Sequence, residues 1–355
     1  MDLHVIGPLA SPAERAAVDS VLGPAESGWR GGPRDSALDG HIARGGHDAR
    51  ARRDLLLPVL HAVQARIGWI SQPALNYVSR RLTIPPAEAW GVATFYALFA
   101  TTARPPVVAH VCDDLACALA GAGEVCADLE RRLGPEGDAG PDGQRTWLRS
   151  PCLGLCERAP AAMITRAGSE PVTASFGPVD AVGIEARLAP PTGRWTEGGA
   201  QPIPQAGQPG LRLLSRVDTV PPTLEAYQAS GGFVALERAR RIGPQGVIDE
   251  VSSSGLVGRG GAAFPTGRKW AAVAQQPAQP HYVVCNADES EPGTFSNRVL
   301  MEGDPFAVVE SIAIASFAVG ATKAYVYIRG EYPAAEARLA NAIAQSADAG
   351  VIGDL

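Results

Sequence analysis

The sequence has little charge, few cysteines and no apolar run of membrane-spanning length. Charged residues make up 19% of the 355 positions, and the formal net charge is -6. It has no long basic stretch that could neutralise nucleic-acid phosphates or an anionic membrane surface. The longest apolar stretch, from Phe306 to Val319, contains Glu310 and is too short to cross a bilayer. These absences argue against nucleic-acid binding and against direct insertion into a membrane.

The six cysteines are too few for a disulfide scaffold in a chain of this length, and four of them are clustered in two pairs. In a reducing compartment, clustered cysteines more often hold metal or carry out redox chemistry. The N-terminus lacks the basic segment and apolar core of a secretory signal. We therefore expect a soluble, cytoplasmic protein whose paired cysteines bind metal or take part in redox chemistry.

Composition and hydrophobic periodicity predict an α/β multidomain fold. A Gly-rich start and a second Gly- and Pro-rich stretch are typical of flexible segments. One short helix is expected near Pro12 within the first of these stretches. The predicted segments are a flexible N-terminal segment (1–48), a helical bundle (49–104), a small α/β domain (105–190), a linker (191–221) and a second α/β domain (222–355).

The cysteine pairs are the most specific chemical signal. Cys112 and Cys117 form a C-x4-C pair, and Cys152 and Cys156 form a C-x3-C pair. Two thiolate pairs from separate loops can bind two irons, one pair to each, and so satisfy the four-cysteine requirement of a [2Fe-2S] cluster. Structural zinc also takes four thiolates, although its pairs usually have the shorter C-x2-C spacing. The spacing favours the cluster and leaves zinc, or cysteines that bind no metal, as the alternatives.

Three other residues near these patterns have simpler interpretations. Cys126 lies within a helical pattern and Cys285 at a strand end, and lone cysteines of this kind usually pack as small hydrophobic residues. His110 lies two residues before Cys112, as a Rieske-type ligand could, but no second histidine lies near the other cysteine pair. We interpret His110 as a strand-packing residue.

A specific resemblance supports the cluster. The segment DLLLPVLHAVQARIGWISQPALNYVSRRLTIPPAEAWGVATFYALF, at 54–99, and the cysteine pairs that follow it resemble the E-type [2Fe-2S] subunit of respiratory complex I. The resemblance covers roughly 50–165. It implies a thioredoxin-like [2Fe-2S] ferredoxin domain behind a helical bundle. It also implies that the cluster ligands are Cys112, Cys117, Cys152 and Cys156.

A glycine-rich loop, GLVGRGGAAFPTG at 255–267, precedes a predicted helix. Glycine permits close approach of a ligand to the backbone, and a helix N-terminus with a nearby cation, here Lys269, can bind phosphate. The spacing also fits a G-x-G-x-x-A dinucleotide fingerprint, but that motif should follow a strand, and here a helix precedes it. By itself the loop could equally serve turn geometry.

The glycine loop belongs to a second resemblance. The segments GLVGRGGAAFPTGRKW, HYVVCNADESEPGTFSNRVLMEGDP and YVYIRGEYPAA resemble three consecutive segments of the F-type flavoprotein subunit of complex I, over about 240–355. The resemblance implies an FMN site that also handles NAD(H). It implies that the backbone of Gly258, Gly260 and Gly261 contacts the FMN and that Lys269 binds the FMN phosphate. It further implies that the ribityl chain and flavin edge are bound by Asn286, Asp288, Glu289 and Ser290. Phe264 and Glu291 are implied to lie near the nicotinamide nucleotide.

The physical chemistry of these residue types suits the implied roles, because acceptor-rich side chains suit ribityl hydroxyls and a cation suits phosphate. Without the resemblance, the acidic residues would be interpreted as solvated loop carboxylates. Ala263 stands where the family usually has glycine, and Ser296, Asn297 and Arg298 stand where it usually has Lys-Asp-Arg. We interpret the matching residues Arg329, Glu331 and Tyr332 as scaffold.

The resemblance also predicts what is missing. The F-type family continues with a second flavin-contacting segment and a cysteine cluster for a [4Fe-4S] centre, and this sequence contains neither. We therefore expect an incomplete α/β FMN-binding domain and a C-terminally truncated chain.

The fusion of E-type and F-type modules resembles the β subunit of NAD-dependent formate dehydrogenases and the diaphorase subunit of NAD-reducing hydrogenases. It implies an NADH dehydrogenase-type oxidoreductase subunit with [2Fe-2S], FMN and NAD(H) as cofactors and no catalytic side chain. Retention of all four cysteines favours a catalytic molybdenum or tungsten formate dehydrogenase subunit as partner, or another iron-sulfur redox subunit. The alternatives are a subunit of NAD-reducing hydrogenase or NADH:quinone oxidoreductase, a zinc-stabilised assembly module, and a truncated docking module without redox activity.

Overall fold

The computed structural model of the chain describes residues 7–25, 51–189, 205–208 and 210–353. The chain divides into two compact units, Met1–Gly198 and Gly199–Leu355. The predictions for 26–48 and for the linker residues 190–204 lie outside the described residues. Within the described part of the chain, no helix is both long enough and apolar enough to span a membrane.

The first unit begins with a helical bundle. Its helices are α1 (Pro12–Leu22), α2 (Leu56–Ile67), α3 (Gln72–Leu82) and α4 (Pro86–Phe95). Helix α1 starts at a capping box formed by Ser11 and Glu14, and Glu14 also accepts a hydrogen bond from Ser71 at the start of α3. Because Val18 is fully buried in the bundle core, α1 is an integral part of the bundle. The segment predicted to have little fixed structure thus contributes one packed helix.

A four-stranded sheet with three helices follows the bundle. Its elements are β1 (Val107–Cys112), α5 (Leu115–Leu119), α6 (Ala122–Leu133), β2 (Arg145–Ser150), β3 (Ala162–Arg166), β4 (Val172–Phe176) and α7 (Ala181–Leu188). The strand order is β2-β1-β3-β4, with β1 and β2 parallel and the other pairs antiparallel. One face of the sheet packs against α6 and α7. The sequence predicts β1, β2 and β3, whereas β4 and α7 are additional.

The apolar spacing from Ala118 to Leu133 predicts one helix, whereas the structure has two helices in this region, α5 and α6. Gly121 has φ 90° between α5 and α6, a left-handed conformation that glycine adopts without steric cost. The break turns α5 into a separate short helix directly after β1. Cys117 lies on this short helix, so the break determines where the second thiol of the first cysteine pair is placed.

The second unit contains six helices and a two-stranded parallel sheet among its described residues. Its elements are α8 (Leu224–Ala229), α9 (Val234–Ser253), α10 (Thr266–Ala274), β5 (His281–Ala287), α11 (Ser296–Gly303), α12 (Pro305–Val319), β6 (Ala321–Ile328) and α13 (Pro333–Asp348). Helix α9 is kinked where Gly243, with φ 75°, precedes Pro244. One face of the sheet packs on helices α11, α12 and α13.

The end of the predicted linker is attached to the second unit. Arg216 forms an ion pair of 2.8 Å with Asp304, and Val217 is buried. Gly303 allows this close approach, because a Cβ there would lie 2.9 Å from a methyl group of Val217. The residues just before α8 therefore pack against the start of α12.

Candidate functional site

The two cysteine pairs follow neighbouring parallel strands. Strand β1 ends at Cys112, which is in register with Ser150 at the end of β2, and Cys152 comes two residues later. The loops that leave the carboxyl ends of parallel strands lie at the same edge of a sheet, which is where ligands of α/β folds usually bind. The topology therefore brings together two cysteine pairs that are distant in sequence.

The four sulfur atoms form a contiguous group. The Cys152 Sγ lies 3.5 Å from the Cys156 Sγ, and the Cys112 thiol hydrogen-bonds to both Cys117 and Cys152. No disulfide joins the six cysteines, and Cys156 is the only partly exposed member of this group. Among the described residues, no group of three or more His, Cys, Asp or Glu side chains could hold a metal ion. A [2Fe-2S] cluster differs from a site for one ion, since two irons share its four thiolates.

Backbone amides donate hydrogen bonds to these sulfur atoms. The Gly154 N–H lies 3.3 Å from the Cys152 Sγ, and the amides of Asp114 and Leu153 donate to Cys112. These amide bonds favour the thiolate, whereas the hydrogen bond to Cys112 and burial together raise the pKa of Cys152. Amide donors of this kind tune iron-sulfur clusters. Four converging sulfurs with amide donors fit the four-thiolate cluster.

Asp114 joins the two cysteine loops and was not singled out from the sequence. One carboxylate oxygen caps α5 by accepting from the Leu115 N–H at 2.7 Å, and the other accepts from the Cys152 N–H at 3.2 Å. The available signal was local, since an aspartate directly before a helix is a common N-cap. The second contact depends on the fold and has no sequence signal.

His110 is buried on the strand that leads to Cys112. Burial, with a smaller effect from the nearby Arg104 guanidinium, lowers the pKa of His110 to about 3. Its Nε2 atom has no hydrogen-bond partner among the described residues, and its backbone pairs with Met163 across the sheet. A neutral, buried imidazole agrees with the strand-packing interpretation.

The glycine-rich loop of the second unit is closed at its base. Val257 and Pro265 form an isolated β-bridge, and the Gly258 N–H donates to the Phe264 carbonyl oxygen at 2.9 Å. Gly261 has φ 95° and Ala263 has φ 50°, so both lie in the left-handed region, where an alanine is strained. The loop is held in shape directly before α10.

The closed loop presents its predicted ligand-binding groups to solvent. Gly260 and Gly261 are exposed, and so is Lys269 on the first turn of α10. The Phe264 ring is 47% exposed and lies 5.8 Å from the Arg268 guanidinium. Exposed backbone beside a helix N-terminus and a cation can accept a phosphate-bearing ligand.

Four predicted ligands at the end of β5 and in the acidic loop after it are exposed. The Asn286 side-chain oxygen accepts from the Asp288 N–H at 3.0 Å, and the Ser290 hydroxyl donates to the Asp288 carboxylate at 2.9 Å. Glu291 is exposed beside them. Helix α10 leads into β5 through a short connection, so the glycine loop directly precedes, and the acidic loop directly follows, one αβ segment.

Glu289 differs from the other predicted ligands because its side chain points into the protein. It is 2% exposed, and its carboxylate accepts hydrogen bonds from the Ser296 hydroxyl (3.1 Å), the Asn297 N–H (2.9 Å) and the Arg298 N–H (3.1 Å). These donors form the first turn of α11. The predicted contact of Glu289 with the flavin stays a prediction, but its carboxylate already has partners within the chain.

Two family models match the chain. Residues 42–176 match the model described as thioredoxin-like [2Fe-2S] ferredoxin, and residues 251–353 match the model described as Nuo51 FMN-binding domain. The chain thus joins a thioredoxin-like [2Fe-2S] domain to a Nuo51 FMN-binding domain, with [2Fe-2S] and FMN as the cofactors of these domains. The predicted α/β class with these two domains is confirmed.

Two relatives that match the chain are components of oxidoreductases. The F-type component of the NADH-quinone oxidoreductase of Aquifex aeolicus is 50% identical over 131 residues, which cover 37% of this chain and 30% of that protein. The HoxS alpha component of the NAD-reducing hydrogenase of Cupriavidus necator is 30% identical over 289 residues, covering 80% of this chain and 47% of that protein. The chain spans less than half the length of either relative.

A solved structure supports the same comparison. The NAD+-reducing [NiFe]-hydrogenase in the H2-reduced state contains a chain that matches with a TM-score of 0.68 and 29% identity, over 84% of this chain and 48% of that one. The fold similarity therefore extends across both units. Neither this structure nor the two relatives described above is a formate dehydrogenase, so that narrower assignment stays a prediction.

Proposed function

We propose that the chain is a diaphorase-type electron-transfer subunit that moves electrons between NAD(H), FMN and iron-sulfur clusters. The observation that supports this most strongly is the joining of two redox domains in one chain. The cysteine quartet lies in one domain, and the exposed glycine and acidic loops lie in the other. The alpha component of an NAD-reducing hydrogenase aligns with 80% of the chain, which includes both domains.

Every predicted site residue except Glu289, whose carboxylate has partners within the chain, has a binding role in this proposal. The thiolates of Cys112, Cys117, Cys152 and Cys156 hold the [2Fe-2S] cluster. The backbone of Gly258, Gly260 and Gly261 and the cation of Lys269 bind FMN, together with Asn286, Asp288 and Ser290. Phe264 and Glu291 face the nicotinamide nucleotide. The bound cofactors supply hydride and electron transfer, while the side chains bind and orient them.

The redox partner is proposed to be another iron-sulfur subunit of a multi-subunit complex. The family resemblance favours a molybdenum or tungsten formate dehydrogenase subunit. The long alignment with a hydrogenase component and the similarity to a hydrogenase structure support a hydrogenase as the second candidate. Copurification of either catalytic subunit with the tagged chain distinguishes the two. The reducing cytoplasm is the proposed compartment, and the absence of disulfides among the six cysteines supports it.

The test is the spectrum of the anaerobically purified chain, with iron, zinc and flavin quantified. One cluster and one flavin per chain correspond to two irons and one FMN, and we expect this content. We also expect a [2Fe-2S] electron paramagnetic resonance signal after reduction and bleaching of the flavin absorbance by NADH. Cys112→Ser should abolish the cluster signal, while the matched variant Cys285→Ser should retain it. A colourless protein that contains zinc, or a protein that lacks either iron or FMN, would contradict the proposal.

A further inference from the structure

A single residue, Glu289, anchors the acidic loop of the second unit at both of its ends. Its backbone lies at the beginning of the loop, next to Asp288 and Ser290. Its carboxylate reaches across to the first turn of α11, where the loop ends, and accepts the Asn297 and Arg298 amides at 2.9 and 3.1 Å. A carboxylate at a helix N-terminus is stabilised by these amides and by the helix dipole.

Arg329 and Tyr332 hold Glu289 from a neighbouring element. Strand β6 pairs with β5 up to the Ala287–Ile328 register, so the residue after β6 lies beside the start of the acidic loop. Arg329 Nη1 donates to the Glu289 carbonyl oxygen at 2.6 Å. The Tyr332 hydroxyl lies 3.3 Å from the same carbonyl oxygen and 3.2 Å from the Glu289 carboxylate.

Both residues are fixed in place by their surroundings. Arg329 is 8% exposed and Tyr332 is 1% exposed. The Arg329 Nε pairs with the Glu331 carboxylate at 3.0 Å, which orients the guanidinium towards Glu289. Burial raises the pKa of Tyr332 well above its usual range, so the phenol is protonated and can donate a hydrogen bond to the carboxylate.

We propose that Arg329 and Tyr332 are positioning residues for the proposed FMN site and that they act through Glu289. They do not need to contact the flavin. Because Asp288 and Ser290 are the two neighbours of Glu289 in the chain, the orientation of their exposed side chains depends on how the Glu289 peptide is held. This inference rests on the proposed function, since it takes FMN as the ligand that the loop serves.

The chain provides a matched control for Tyr332. The Tyr227 hydroxyl donates to the buried carboxylate of Glu310, which also accepts the Phe233 and Leu236 amides at 2.9 Å each. Tyr227 is therefore a second buried phenol that supports a helix-capping glutamate in the same unit. Glu310 caps the start of α9 and lies outside the acidic loop, so Tyr227→Phe removes the same type of hydrogen bond without changing the loop anchor.

The experiment compares Tyr332→Phe with Tyr227→Phe by FMN titration, by hydrogen exchange of residues 288–298 and by thermal unfolding. Loss of one intramolecular hydrogen bond predicts that Tyr332→Phe raises the FMN dissociation constant roughly 5- to 10-fold and speeds exchange in the loop by a similar factor. Tyr227→Phe should lower the melting temperature to a comparable extent and leave both loop measurements within about 2-fold of wild type.

Arg329 gives a second comparison. Arg329→Lys keeps a cation near the Glu289 carbonyl oxygen and should retain part of the FMN affinity, whereas Arg329→Met should lose more of it. The proposal is overturned if Tyr332→Phe leaves loop exchange unchanged, or if FMN affinity simply follows melting temperature in all four variants. Failure of the wild-type chain to bind FMN would contradict the proposed function instead, and hydrogen exchange without FMN would still decide whether the two residues hold the loop.

Discussion

The sheets of the two units differ in how completely they are covered. In the four-stranded sheet, consecutive residues of β1 point to opposite faces, and both Ala109 and His110 are buried. In the two-stranded sheet, Ala287 is buried on one face, whereas Tyr282 is 53% exposed and Val284 is 63% exposed on the other. Parallel strands are usually covered on both faces. The cysteine site is therefore built on a sheet with two packed faces, and the proposed flavin site on a sheet with one.

This difference predicts where the chain is sensitive to substitution. The conformation of the cysteine loops depends on a hydrophobic core. Its residues come both from elements next to these loops in sequence and from strands that are distant in sequence. The glycine and acidic loops depend on a few local contacts, such as the Val257–Pro265 bridge and the Glu289 anchor. We therefore expect substitutions of buried core residues to lower the unfolding free energy most in the first unit. In the second unit, we expect the largest effects from substitutions that change the backbone conformation of the two loops.

The largest effect is expected for Trp147→Ala in the four-stranded sheet. Trp147 is 1% exposed, and its indole N–H donates to the Gly134 carbonyl oxygen at 3.0 Å. Removing a buried tryptophan leaves a cavity and should cost about 3 to 5 kcal/mol of unfolding free energy. Chemical denaturation, followed by cluster absorbance, measures this loss. A loss below about 1 kcal/mol would contradict the view that the first sheet depends on its two packed faces.

A smaller effect is expected for Gly267→Ala at the start of α10. A Cβ at this position would lie 2.7 Å from the Cα of Ser252, so α10 would have to move away from the end of α9. We expect a loss of about 1 to 3 kcal/mol and reduced FMN occupancy, measured by denaturation and by flavin content. Gly260→Ala is the control for the denaturation measurement alone, because no atom lies within 4 Å of its added Cβ, whereas its backbone is a predicted FMN contact and its flavin content is not compared. Equal effects of the two variants would rule out the helix contact as the cause.

Local sequence patterns mark the two loops that carry the cysteine pairs, and the ligand role of the four thiols stays a prediction. The apolar run that ends at Cys112 predicts β1, and the C-x4-C and C-x3-C spacings identify both loops without any long-range information. Strand β4, VTASF, alternates apolar and polar residues as a half-buried strand does, but the alternation spans only five positions and was not interpreted as a strand; in the structure it pairs with β3. The contact of Asp114 with the second cysteine loop likewise depends on the parallel pairing of β1 and β2.

The predicted flavin site shows where sequence information ends. The motif identifies the acidic loop, and four of its predicted residues are exposed as a ligand site requires. It does not show that Glu289 points inward, because that orientation depends on Tyr332, which lies 43 residues later. The roles of the individual loop residues at the flavin stay predictions.

A stabilising effect is expected for Ala263→Gly in the glycine loop. Ala263 has φ 50°, and glycine adopts this conformation without the strain that a Cβ causes. After the greater flexibility of glycine in the unfolded chain is subtracted, we expect a gain of about 0.5 to 1 kcal/mol. Thermal unfolding of the variant measures it. Ala262→Gly is the control, since residue 262 is not among the positive-φ positions, and it should be neutral or destabilising.

The smallest effect on stability is expected on the exposed sheet face, and it tests the comparison directly. Tyr282 and Val284 point outward and pair with Lys323 and Tyr325 of β6. Replacing Tyr282 and Val284 by threonine keeps a high β-propensity and removes exposed apolar surface. The unfolding free energy should change by less than about 0.5 kcal/mol, while binding of a hydrophobic dye should fall. A loss of several kcal/mol would show that this face is covered in solution, for instance by self-association, and that the two sheets are more alike than their described residues indicate.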